Sequence, residues 1–161
     1  MSNTTTEPRW LTADEQVSWR AFVTAMTMLS RQLNAEMLSA HDLSMDDYAI
    51  LAMLSEAPEG RLRFGELADV LRVAKAHITY RFRRLEERGL VERQACATDA
   101  RGAYAALTAD GRSRIEAAAP THVESVRQHL LDHLTPEQLR VMGEAMTAVV
   151  EAECAETPHR H

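Results

Sequence analysis

The chain has 161 residues, 45% of them apolar and 26% charged, with a formal net charge of -6; that is room for one compact domain, or one with extensions, of ordinary globular composition. Six Gly and five Pro are few for a many-turned β-sandwich, and two cysteines as far apart as Cys96 and Cys154 make no disulfide framework. The start MSNTTTEPRWLTADEQ lacks a signal-peptide core and no apolar run approaches the ~20 residues of a membrane span, so a soluble, reduced, cytoplasmic protein without membrane contact is expected.

Residues 1–9 are polar and Thr-rich and are expected to be disordered. Thr12 with Glu15 reads as a capping box, and a helix should follow over 13–39 with Val17, Phe22, Met26, Leu29, Leu33 and Met37 near a 3.6-residue repeat. That length suits a helix that runs past its own core to meet a partner. Ser44 with Asp47 caps a second helix, which APEG at 57–60 ends. An extended piece RLR at 61–63 leads to a two-turn helix in FGELADVL, with Gly65 expected as N-cap. A tight connection at Arg72 and Val73 opens a helix over 75–88, whose Ile78, Phe82 and Leu85 should face the core, with Gly89 as its C-cap residue.

LVERQA and AYAAL read as two strands joined by the polar turn CATDARG. Thr108 caps a long helix that Pro120 is expected to interrupt and bend, with Val123, Val126, Leu130 and Leu134 continuing along one side. Thr135, Pro136 and Gln138 start a last helix to about 154, before a frayed tail, ETPHRH.

Charge is not evenly spread along these elements. Between Arg61 and Arg101 there are ten Lys/Arg against six Asp/Glu, which leaves eight Lys/Arg and eighteen Asp/Glu for the rest. A basic patch on an acidic body is a footprint for phosphate, set against the plainer reading of a solvated mixed-charge helix. The element order in this region is that of a helix-turn-helix followed by a β-wing. In such a unit the second helix lies in the major groove, which alone admits a helix and shows distinguishable base edges. Lys75, His77, Thr79, Tyr80, Arg83 and Arg84 would form the polar, cationic face opposite Ile78, Phe82 and Leu85. Arg101, at the wing tip, is placed for a narrow minor groove. Arg81 is read as laying its stem along the helix to reach a phosphate, and Arg88 and Arg93 as structural.

RLEERGLVER, the Asp-x-Arg of the wing and LTADG resemble the MarR family of winged helix-turn-helix transcription regulators over about 15–150. The resemblance implies a mainly α fold with a small β-wing: an N-terminal dimerisation helix over 10–42, a winged helix-turn-helix domain over 43–108, C-terminal dimerisation helices over 109–154 and a tail at 155–161. It implies a homodimer that reads a palindromic operator in double-stranded DNA, more often as repressor than activator. Thr79, Tyr80 and Arg84 fall at its DNA-touching positions, Arg101 at the wing-tip arginine, and Asp99 at the acid that orients a wing arginine. The chain departs from the pattern at VAKAH, where alanine at 74 replaces a capping side chain, a deficit of roughly 1 kcal/mol. It also departs at Tyr80 and Arg81, so an operator sequence does not carry over from relatives.

The resemblance further implies a small aromatic or amphipathic ligand between the dimer helices and the winged domain. Trp19, Arg20, Met45, Tyr48 and Arg72 are the candidates to line its pocket, an arginine pairing with a carboxylate and an aromatic stacking, against ordinary packing for each. No cofactor is implied. His129 and His133 have a metal-compatible spacing, with His122 a further two turns back, but no HExxH accompanies them, and partly exposed or dimer-interface histidines are the better reading. Cys96 and Cys154 keep open a redox-responsive regulator, and the histidines a metal-responsive one. The capless helix keeps open a protein-interaction module that no longer binds DNA. No catalytic constellation emerges at a motif spacing, so an enzyme is not expected.

Overall fold

The computed structural model describes residues 7–95 and 103–156. The first six residues, the turn at 96–102 with Cys96, Asp99 and Arg101, and the tail from 157 lie outside it. The described chain forms α1 (Ala13–His41), α2 (Met45–Glu56), β1 (Arg61–Arg63), α3 (Phe64–Leu71), α4 (Lys75–Glu87), β2 (Val91–Ala95), β3 (Ala103–Leu107), α5 (Ala109–His129) and α6 (Pro136–Glu156). None of these helices is long and apolar enough to cross a membrane.

The helix starts follow their caps. Thr12 with Glu15 and Ser44 with Asp47 form reciprocal capping boxes, and Thr135 with Gln138 makes the same pair of bonds at the start of α6. Gly65 is not the cap of α3. Glu66 reaches back to the Arg63 N–H at 2.8 Å, which moves the start forward so that Arg63 is the N-cap. Pro120 does not interrupt α5, which is continuous from Ala109 to His129. Proline's fixed φ is compatible with a helix, and its cost there is a missing donor and crowding of the preceding turn. The apolar series expected to continue to Leu134 stops earlier, because Leu130 leaves helical geometry at φ -137 and a single 3-10 turn, Leu131–His133, follows.

The three strands form an antiparallel sheet in the order β1-β3-β2, with Arg63 and Gln94 both opposite Tyr104. The core lies between α2, α3, α4, α5 and the inner sheet face, and Leu51, Leu54, Leu67, Ile78, Phe82 and Leu85 are fully buried in it. Arg93 closes its edge: the guanidinium lies 4.8 Å from the Phe64 ring centroid and 5.3 Å from that of Phe82, beside Glu86.

The two long terminal helices are a different matter. Residues 13–28 of α1 are all exposed, and of the α6 side chains whose burial is described all but Met142 are exposed. Met37 is the one fully buried residue of α1. An open apolar cleft of about 640 Å³ runs between these helices, lined among others by Phe22, Met26, Leu29, Leu130, Met142 and Met146.

Candidate nucleic-acid interface

The helix-turn-helix is α3 and α4 joined at Arg72, which takes the left-handed conformation at φ 54. Ile78, Phe82 and Leu85 seat α4 on the core. On its other side Lys75, His77, Thr79, Tyr80, Arg83 and Arg84 are all exposed, Tyr80 at 61%. The six residues that spacing placed on one face are thus brought together on a helix of ~20 Å, the length that 1.5 Å per residue gives.

These six are not equally free. Thr79 Oγ1 donates to the Lys75 carbonyl at 2.9 Å. Arg83 Nε donates to Glu87 at 3.1 Å, one helical turn on. His77 Nε2 lies 3.5 Å from Asp46 Oδ2. Among the described residues, Lys75 and Arg84 are the cations of α4 without an ion pair. At the head of the helix Ala74 is the N-cap, extended at φ -63 and ψ 140, with no side-chain bond to the first turn.

Arg81 does not join this face. It is only 22% exposed and turns into the start of α2, with Nη2 2.7 Å from Asp46 Oδ2 and Nη1 3.8 Å from Asp47 Oδ1 and 3.4 Å from Ser44 Oγ. The guanidinium that the sequence offered to a phosphate is thus engaged by internal partners. The cause lies in acids some 35 residues upstream, a partner that helical periodicity does not reveal. Arg88 is structural: Nη2 donates to the Asp42 carbonyl at 2.7 Å and to its carboxylate at 3.1 Å.

The five candidates for a ligand pocket are scattered. Trp19 stacks on Phe22 with ring centroids 6.1 Å apart and is 57% exposed. Arg20 and Arg72 are exposed. The Met45 N–H donates to Asn34 Oδ1 at 3.0 Å. Tyr48 packs its ring 4.5 Å from that of His122, and burial raises its hydroxyl pKa. None of the five lines the apolar cleft between α1 and α6.

The histidines also separate. Burial against Tyr48 pushes the His122 pKa down and leaves Nδ1 without a hydrogen-bond partner. His129 Nε2 donates to Glu36 Oε1 at 2.7 Å, and His133 lies exposed in the 3-10 turn. Sequence reading missed the cluster that results. Glu36 on α1 accepts from Ser125, Gln32 and His129, and these bonds hold its carboxyl down to about 2. The one signal for it was the pair Gln32 and Glu36 at i, i+4.

A family model of the MarR family matches residues 41–102. Two solved structures from Streptomyces coelicolor are similar over most of their length. Sco3205, a MarR family transcriptional regulator solved in complex with DNA, is 40% identical with a TM-score of 0.88, the match covering 91% of each chain. AbsC, a further MarR family transcriptional regulator, is 36% identical with a TM-score of 0.88, the match covering 92% of this chain and 99% of the other. A mutant MarR from E. coli complexed with operator DNA shares the fold at 23% identity and a TM-score of 0.74, over 86% of this chain and 99% of that one. No curated protein matches the chain. Fold and interface together define a winged helix-turn-helix transcriptional regulator. The chain belongs to the MarR family.

Proposed function

We propose that the protein is a homodimeric repressor that binds a palindromic operator in double-stranded DNA and is released by a small aromatic or amphipathic ligand. The observation that carries DNA binding is the exposed polar face of α4, seated on the core by Ile78, Phe82 and Leu85 and offering Lys75, Thr79, Tyr80 and Arg84 outward. That a 40% identical relative was solved in complex with DNA supports the same reading. In it, each subunit puts α4 in a major groove and the hairpin of β2 and β3 against the flanking minor groove, with Arg101 oriented by Asp99 at the tip.

The dimer is supported by what α1 and α6 leave uncovered. Val17, Trp19, Phe22, Met28, Val141, Val149 and Val150 are 42% to 69% exposed. A helix of 21 residues that buries almost nothing against its own chain needs a second surface to hold it. The apolar cleft between α1 and α6 suits a helix of the second copy.

Fluorescence anisotropy against the DNA upstream of the protein's own gene tests the reading. Binding should weaken steeply with salt, and Arg84→Ala should cut the salt slope by about one phosphate contact per subunit. Salt-insensitive binding, or none, would sink it. Light scattering should give twice the mass of one chain. A thermal-shift screen of phenolic acids and other small aromatic compounds tests the ligand, whose binding should raise the melting temperature and lower DNA affinity.

A further inference from the structure

The turn between α1 and α2 is acidic, and α4 meets it with a basic ridge. Asp42, Asp46 and Asp47 lie within six residues of chain. His77 and Arg81 stand at i and i+4 on α4, and Arg88, its C-cap residue, follows at i+11, so the three share one side. Each has its partner in that turn or the first turn of α2: His77 and Arg81 on Asp46, Arg81 again beside Asp47 and Ser44, and Arg88 on Asp42. Ser44 and Asp47 are themselves the capping box of α2. The same turn is tied to α1 by Asn34, through the Met45 N–H, and to α5 by Arg114, which donates to the His41 carbonyl at 3.0 Å.

Apolar packing is incomplete beside it. A crevice of about 80 Å³ remains between α2, α3 and the first turn of α4, lined by Asp46, Ile50, Leu71, Val73 and His77. The apolar stripe Ile78, Phe82 and Leu85 fixes the depth of α4, and beside the crevice only Ile78 anchors its first turn. Charged contacts at that end supply the missing constraint. We infer that Arg81 is a positioning residue of the recognition helix: with Asp46 it sets the leading half of α4 against the turn that ends α1. This rests on the proposal that α4 reads DNA. It departs from the simpler role for an arginine on such a helix, a contact with phosphate.

The two roles differ in sign. Losing a phosphate contact reduces the salt slope, whereas losing a positioning contact lowers affinity without changing the number of phosphates engaged. Asp46 is an acid beside the DNA-facing side, so its loss should tighten binding if Arg81 serves phosphate and weaken it if Arg81 serves α4.

The test compares wild type with Arg81→Met, Arg81→Lys and Asp46→Asn on one duplex over a range of salt. Amide hydrogen exchange of the full-length protein without DNA accompanies it. Arg81→Met and Asp46→Asn should each weaken binding roughly tenfold, the size of one charged hydrogen bond, with the salt slope unchanged. Arg81→Lys, which keeps the charge, should recover most of the loss. Amides 75–81 should exchange faster in both damaging variants. A slope reduced by about 0.9 for each arginine removed, tighter binding by Asp46→Asn, or unaltered exchange over 75–81 would overturn the inference. If wild type binds no DNA, the functional proposal fails, and the exchange data alone decide whether Arg81 holds α4.

Discussion

Replacing Gly111 with alanine should cost the fold dearly, although alanine is the better helix former. Gly111 lies in the first turn of α5, where its N–H donates to the capping Thr108 Oγ1 at 3.0 Å. Thr108 in turn donates its hydroxyl to the Gly89 carbonyl at 2.8 Å and its N–H to the Leu90 carbonyl at 3.2 Å. The end of α4 and the start of α5 are thus stitched backbone to backbone. A Cβ on Gly111 would lie 1.9 Å from the Leu90 oxygen, 2.9 Å from the Leu90 carbonyl carbon and 2.9 Å from Leu107 Cδ1. Contact between carbon and oxygen is comfortable only beyond about 3.3 Å, so the Leu90 backbone must retreat by more than about 1 Å. It cannot do so and keep its bond to Thr108. Overpacking of about 1–3 kcal/mol plus a lost bond of about 1, less about 1 gained in helix propensity, leaves a net loss of about 1–3 kcal/mol. In a chain of this size that lowers the melting temperature by roughly 2–12 °C. Far-ultraviolet circular dichroism melts at one fixed protein concentration would show it. Gly65→Ala is the control, since a Cβ there meets only the flexible end of Lys75 at 3.9 Å. A Gly111→Ala protein that melts with wild type would refute the close approach.

Two groups should shape the response to acid. The Glu36 carboxyl is lowered from 4.5 to about 2, so its contribution is present above 4.5 and lost as pH falls toward 2; Glu36→Gln should remove that part of the slope in acid-unfolding curves. Burial lowers His122 below its usual 6.5, so the unfolded chain takes up the proton first and stability falls as pH drops below 6.5. His122→Phe should flatten the curve just below 6.5 and keep the ring packed on Tyr48; unchanged curves would refute the assignment. Ala74→Ser, at a residue already in cap geometry, should raise stability by about 0.5–1 kcal/mol in urea titrations. Pro120→Ala restores a donor inside a continuous helix and should stabilise by about 1–3 kcal/mol in the same assay.

What the sequence revealed were features that short-range rules govern. The caps at Thr12, Ser44, Thr108 and Thr135, the stripe of Ile78, Phe82 and Leu85, and the hairpin on either side of 96–102 each follow from neighbours within a few positions. The RGL and LTxxG patterns were visible as strings, but the reason for them was not: Gly111 is a glycine because Leu90 passes against it. The partners of Arg81 were hidden for a related cause. On a helical wheel it borders the polar face, and only the fold brings Asp46 and Asp47 to it. The pairing of β1 with β3, and of Glu36 with Ser125 and His129, likewise spans too much chain for a local rule to show.

This sorting of cations changes what the local excess of positive charge means. Six of the ten basic residues between Arg61 and Arg101 lie from Lys75 to Arg93, and four of those have internal partners: Arg81 in the acidic turn, Arg83 on Glu87, Arg88 on Asp42, Arg93 on Glu86 and two rings. Lys75 and Arg84 remain, both exposed on α4 and without an ion pair among the described residues. Counterion release depends on phosphates neutralised, not on formal charge, so on the proposed reading two cations per subunit would contribute about -1.8 to the slope of log K against log salt, and the proposed dimer about -3.6. A measured slope near that value would assign the electrostatics to α4 alone. A slope nearer twice as steep would require as many contacts again from outside it, with the hairpin of β2 and β3 the nearest source. Variants of Lys75 and Arg84 would then leave roughly half the salt dependence intact, which separates a protein gripping DNA by one helix from one that also uses its wing.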